Sequence, residues 1–360
     1  MFQAPTVYDR QNLGHPHAGR GDHEKVNVPG RAPQSSSPAL LRRNLWSQSM
    51  TLRWDAPELQ VDSDSSRTAR YRLLQSWYRE EILHARPGVY TPRGRPDRPC
   101  GSLLHLDEVT ARPGLNFLDP KVATYATSRA AEVQSHNGTL EEGRLRHNML
   151  SSMPLCFNLF GMIRETPEAR LPFVQQLFDP TAIHVEMIEC EWTPRHPDST
   201  INDRTAFDAA IVVSREDGTS HLIGVETKYT EPFSPTRYGS ADRHDAGRYR
   251  THHDGSGWFT PKSHDRLTAS STNQLWRNCL LAAAAERSGE LASASVVVVA
   301  LADDRGAAVA ISGITEAMTD PSRCRLVSLE EIVDVCRTIT SLAEWTDEFD
   351  RRHLDLSRLD

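Results

Sequence analysis

Three stretches near the middle of the chain alternate apolar and polar residues with a period of two, the pattern of strands. IHVEMIECEW, residues 183–192, sets Ile183, Val185 and Met187 against Glu186, Glu189 and Glu191. AFDAAIVV, residues 206–213, and HLIGVETKY, residues 221–229, follow, joined by a polar turn that contains Asp217-Gly218; this predicts a hairpin. Helical spacing precedes them. In residues 65–83 the apolar positions are Tyr71, Leu74, Trp77, Tyr78 and Ile82, with Ser65 or Ser66 as cap. Further helices are expected over 121–134 and 140–163, with Pro154 kinking or beginning the last portion. Residues 86–120, broken by repeated Pro and Gly, read as a loop-rich connector. After the hairpin come a helix over 271–289, opened by Ser271 or Thr272 and closed by Gly289, and the valine run ASVVVVALADD over 294–304. A strand apolar on both faces takes a central or parallel position. CRLVSLEEIVDVCRTI, residues 324–339, reads as a short strand entering a helix. The sum is an α/β chain of order α-βββ-α-β, a mixed central sheet flanked by helices.

Two charges interrupt this pattern. Asp208 lies inside a strand, where Asp is disfavoured, and its neighbours Phe207, Ala209, Ile211 and Val213 are expected to form one apolar face. Glu226 interrupts the next apolar run, and alternation puts Lys228 on its face and Thr227 on the other. Two carboxylates and an ammonium converging at a sheet edge suit a divalent cation that activates water and binds phosphate. The plainer reading is a solvent-facing ion pair of little energetic weight, with Asp208 capping a turn. The lysine argues against it. Of 41 Lys+Arg residues, only Lys25, Lys121, Lys228 and Lys262 are lysines. A compact ammonium at 228 is therefore a departure from the chain's preferred cation.

At these residues the chain resembles the PD-(D/E)XK nuclease superfamily, the restriction-endonuclease-like fold. Asp208 and Glu226-Thr227-Lys228 match its core motif; Phe207 stands where a proline often precedes the first aspartate. The segments LSSMPLCFNLFG (150–161), ECEWTPRHPDSTINDRTAFDAAIVV (189–213), GVETKYTEPF (224–233) and NQLWRNCLLA (273–282) are similar to a bacterial group labelled restriction endonucleases. The resemblance implies a metal-dependent phosphodiesterase acting on nucleic acid, with DNA endonuclease activity of restriction or defence type expected. Asp208 and Glu226 would ligate Mg²⁺, with Mn²⁺ able to substitute, and the Thr227 carbonyl would add a ligand. Lys228 would orient the water or stabilise developing charge. Glu191 would be an extra acid, with Glu189 on the same face, and Gln274 would correspond to a glutamine that recurs after the motif. Glu231 is expected to hydrogen-bond behind Lys228. A homodimer follows by analogy alone. The competing reading is a catalytically silent nucleic-acid-binding or scaffolding module of the same fold.

Composition changes this picture little. The 360 residues have a net charge of −7, a modest argument against nucleic acid, while 38% hydrophobic and 25% charged residues are ordinary for a soluble globular protein. The six cysteines lack paired spacing, Cys156, Cys190 and Cys279 in apolar runs read as reduced core residues, and the N-terminus lacks the apolar core of a secretory signal, so the cytoplasm is expected. Four parts are expected: a loosely attached segment over 1–64, a helical and loop-rich extension over 65–140, the nuclease domain over 141–345 and a tail over 346–360. His15, His17 and His23 read as a flexible histidine tail. Arg67, Arg70, Arg72 and Arg79 form a helix face that either contacts phosphate or is simply solvated. The polar insert 232–268 interleaves arginines with Tyr238, Tyr249, Trp258 and Phe259, a composition suited to phosphates and unstacked bases. Within it His252-His253-Asp254 is a second, weaker metal candidate.

Overall fold

The computed structural model describes residues 53–91, 96–136, 138 and 140–359. The expectations for residues 1–52, including His15, His17 and His23, lie outside them. Residues 57–64, grouped by composition with the N-terminal segment, are packed: Leu59 is buried and Asp64 pairs with Arg72 at 2.5 Å.

The sheet has five strands in the order β3 (Ala182–Trp192), β4 (Phe207–Arg215), β5 (Ser220–Thr227), β6 (Ser293–Ala300) and β7 (Cys324–Ser328). The first three form an antiparallel meander, and β6 and β7 extend it in parallel. The valine run of β6 has parallel neighbours on both sides, which explains its lack of alternation. The short strands β1 (Pro87–Tyr90) and β2 (Arg98–Leu104) form a separate antiparallel pair. They lie in the stretch expected to be a loop-rich connector, which also holds a helix over Leu106–Ala111. Prolines punctuate this segment without preventing pairing, because they occupy the starts of short strands.

Helices cover both faces. Among them are α1 (Ser66–Trp77), α2 (Pro120–Ser135), α3 (Ser152–Cys156), α4 (Pro167–Leu177), α5 (Ala246–Gly255), α6 (Asn273–Arg287), α7 (Arg305–Thr315), α8 (Leu329–Thr338) and α9 (Ala343–His353). Their starts follow the expected cap chemistry: Ser65 accepts from the Thr68 N–H, Asp119 precedes Pro120 and accepts from Lys121, and Ser328 accepts from Glu331. Pro154 sits in the first turn of α3, which widens over Phe157–Gly161 and runs on to Glu165. One face of the sheet, with Ala209, Ile211, Val213, Val225 and Val299, packs on α2, α3, α4, α8 and α9. The other, with Ala210, Leu222, Val296 and Val298, packs on α6 and α7. Phe207 departs from alternation. It joins this second core, stacks on Trp192 and fills the space where a Gly224 side chain would stand.

Several surface readings become packing. Arg79 is buried and donates to the Gly101 and Ala85 carbonyls; Arg72 binds Asp64 and Ser102; Arg67 pairs with Asp304 at 3.1 Å. Three of the four arginines, Arg67 and Arg72 on α1 and Arg79 in the turn that follows it, thus make packing contacts, and neither the phosphate-contact nor the solvated reading describes them. Tyr249, Trp258 and Phe259 of the insert are core residues, so they offer no stacking platform. Their segment folds as α5 and short turns, not as a long loop. His253 is buried, accepts from the Trp276 indole N–H and stacks on Phe259; the His252-His253-Asp254 metal candidate falls with it. In the C-terminal stretch expected to be a tail, Phe349, Arg352 and His353 of α9 are buried. All six cysteines are free and buried, and no helix among the described residues is long and apolar enough to cross a membrane.

Candidate active site

The strand register assembles the acids. Cys190 pairs with Ala209 and Trp192 with Phe207, so Glu191 on β3 stands opposite Asp208 on β4. Ala209 pairs with Val225, and one step further along the same register Asp208 faces Glu226 on β5. Three carboxylates from three adjacent strands thus lie in a row. The place is the carboxyl end of β5, the middle strand of the sheet, and not its lateral edge. Glu191 has φ +50, a left-handed conformation uncommon for a residue with a side chain. Arg129 from α2 secures it by donating to the Cys190 and Glu191 carbonyls at 2.8 and 3.2 Å. Strained backbone of this kind concentrates at functional sites.

Each carboxylate has different company. Asp208 Oδ2 accepts the Thr227 N–H at 2.7 Å. Glu226 is nearly inaccessible and has both oxygens engaged: Oε1 by Gln274 Nε2 at 2.5 Å and Lys228 Nζ at 2.7 Å, Oε2 by Asn278 Nδ2 at 2.6 Å. Burial of Glu226 and Lys228 rules out the solvent-facing ion pair. Gln274 also accepts from Lys228 Nζ at 3.2 Å and from the Ser234 N–H at 3.0 Å, so one amide ties lysine, glutamate and the start of the insert together. The Lys228 N–H is fixed on the Val299 carbonyl at 2.7 Å. The Thr227 side chain points to the opposite face, as alternation requires, where it is buried beside the Cys156 thiol. Only its main chain could serve the site.

The charge state follows from this crowding. Burial, then the nearby Glu226 and Glu191, push the Asp208 carboxyl well above its ordinary value; Lys228 and the Thr227 N–H oppose this incompletely. Burial and Glu226 push Glu191 up to about 7, against Arg144 and Arg129. Burial works against the Lys228 ammonium, but Glu226 and Asp208 outweigh it and hold the lysine above its ordinary value. The group therefore has one firmly protonated lysine and more carboxylates than it can keep ionised.

Of the expected residues, the structure brings Asp208, Glu226, Lys228, Gln274 and Glu191 together. Glu189 turns aside to Arg129 at 3.4 Å. Glu231 does not hydrogen-bond Lys228; it accepts from the Ser152 N–H at 2.9 Å, at the start of α3. Asn278 was not foreseen. Its sequence signal was available: it stands one turn after Gln274 and directly before the apolar run Cys279–Ala285. Among the described residues no three His, Cys, Asp or Glu side chains gather closely enough to hold a metal ion by themselves. The donors at hand are nevertheless all hard oxygens, with excess negative charge. They fit a cation such as Mg²⁺, which accepts one or two carboxylates and completes its shell with water and substrate phosphate.

A model of the PD-(D/E)XK nuclease superfamily matches residues 62–355, and the chain belongs to that superfamily. Its members are generally hydrolytic nucleases and typically use divalent metals, and the five-stranded mixed sheet flanked by helices is consistent with the restriction-endonuclease-like fold. No curated protein and no solved structure matches the chain.

Proposed function

We propose that this protein is a metal-dependent nuclease, with DNA as the expected polymer and restriction or defence as the expected setting. The observation that carries the reading is the row Glu191, Asp208 and Glu226 on adjacent strands, with the Lys228 ammonium 2.7 Å from Glu226. A purely structural buried pair would not need two further carboxylates forced toward neutrality beside it.

Asp208, Glu226 and the Thr227 carbonyl would hold Mg²⁺ or Mn²⁺. When bound, the ion lowers the pKa of a coordinated water and offsets phosphate charge. Asp208 keeps its place through the Thr227 N–H. Gln274 and Asn278 fix the plane of the Glu226 carboxylate, which keeps it pointed at the same spot. Lys228, protonated, donates toward the attacking water or the phosphate oxygens, where charge grows as the bond breaks. Glu191 flanks Asp208 and can give or accept a proton near neutrality.

The test is incubation of the purified chain with supercoiled plasmid, single-stranded DNA and RNA, each with Mg²⁺, Mn²⁺ or EDTA, beside Asp208→Ala. Cleavage that needs metal and Asp208 is the expected result. A folded protein that cleaves none of these, or cleaves equally in the variant, overturns the assignment.

A further inference from the structure

A cavity of about 390 Å³ opens beside the row of acids, outside the edge strand β3. Its walls are the end of β3, the β3–β4 connection and one face of α2, and Glu191 lines it directly. This size lies within the range of small-molecule sites, about 300–1,000 Å³.

The lining is of two kinds. Val133, Trp192, Pro194 and Ala206 supply apolar surface. Around them stand hydrogen-bonding groups of both signs, among them Glu189 and Arg204. Arg204 is exposed and makes no ion pair or hydrogen bond to the described residues. A flat apolar body with donors and acceptors along its edge matches such a cavity, and an unpaired guanidinium at the rim matches an adjoining phosphate.

Position selects the occupant. Neighbouring strands are about 4.8 Å apart, so Glu191, in the cavity wall, is one strand spacing from Asp208. A phosphodiester at Asp208 would place a flanking nucleoside at the cavity mouth. A base stacked and paired in a duplex cannot enter; one that is single-stranded or turned out can. We propose that the cavity receives one unpaired nucleobase next to the scissile phosphate, so that the substrate is single-stranded or locally unpaired nucleic acid. This rests on the nuclease reading for its geometry, but it is testable apart from it.

The test measures binding of the full chain, in EDTA, to a short fluorescein-labelled single strand of DNA by anisotropy. One abasic position is scanned along the strand, and the matching duplex is run alongside. A second arm uses Ala206→Phe, which fills the cavity, after its fold has been checked by circular dichroism. Loss of one base at one position should weaken binding about tenfold, Ala206→Phe should do the same, and the two losses should not add. The duplex should bind less well than the strand. A flat abasic scan overturns the proposal, and the scan needs no substitution, so a misfolded variant does not obscure it. Wild-type affinity in folded Ala206→Phe also overturns it. Mg²⁺-dependent cleavage with a flat scan removes the base site and leaves the nuclease. A position-specific abasic loss without cleavage of any polymer keeps the base site and removes the nuclease.

Discussion

Two groups of buried charge in this molecule are built on opposite rules. Arg352 on α9 is fully buried, and its guanidinium donates to the Asn116 carbonyl and side-chain oxygen at 3.0 and 2.5 Å, with the Tyr78 ring 5.3 Å away. Arg79 is held likewise by main-chain carbonyls. These cations meet mainly neutral oxygens, with Glu80, 3.4 Å from Arg79, the one carboxylate in contact. At the ends of β3, β4 and β5, carboxylates crowd one another and share a single lysine. The first arrangement ties α9 to the loop at Asn116, and the turn after α1 to Ala85 and to Gly101 of β2. The second leaves charge unbalanced where a cation and a phosphate would balance it. A lone cation among neutral acceptors marks structure here, and crowded like charge marks chemistry.

The contrast can be broken in stated ways. Asp208→Asn should lower metal-dependent cleavage a thousandfold or more, as loss of charge at a metal-assisted site does. In EDTA the same variant should gain about 1 kcal/mol of stability, read from the urea midpoint; a loss of stability would place Asp208 with the structural group. Arg352→Ala should destabilise by about 3 kcal/mol, because the Asn116 oxygens lose charged donors, whereas a midpoint near wild type would end the comparison. Asn278→Ala should weaken metal affinity about 10–100-fold, measured by titration calorimetry with Mn²⁺, since it releases Glu226 Oε2. Unchanged affinity would make Asn278 a packing residue.

Glu191 gives a smaller, pH-dependent effect. Its folded value of about 7 lies above the ordinary 4.5, so between these the folded state holds a proton that the unfolded chain has released. Its contribution to stability is complete below the lower value and is lost as pH rises through the upper one. Melting temperatures of the metal-free protein across this window should fall more steeply for wild type than for Glu191→Gln. Parallel curves would show that Glu191 does not carry the proton. The smallest effect belongs to Arg70→Ala, exposed on α1, which should change stability by less than about 0.5 kcal/mol.

The strands of the five-stranded sheet and the acids were legible because both obey local rules. A period of two survives in β3, β4 and β5, and charges that break it are conspicuous. The lysine stood out against an arginine-rich background. The roles of Arg67, Arg72 and Arg79 were not legible, because a helix face of arginines looks the same whether its partners are water, phosphate or carbonyls distant in sequence. The aromatic residues of the insert misled for a related reason. Composition describes what a segment could touch, and tertiary packing of Tyr249 and Trp258 decided what it does touch. Asn278 falls between: its anomaly is local, but its partner Glu226 lies 52 residues away.

The residue after the lysine ties the site to time as well as space. The Tyr229 hydroxyl donates to the His353 carbonyl at 2.9 Å, across 124 residues of chain, and receives Gln75 from α1. At synthesis rates of about 5–20 residues per second, His353 is made roughly 6 to 25 s after Tyr229. The hairpin that gathers Asp208 and Glu226 can form well before the anchor beside Lys228 exists. A nascent chain thus passes through an interval in which both acids have been made and the Tyr229 anchor beside their lysine has not.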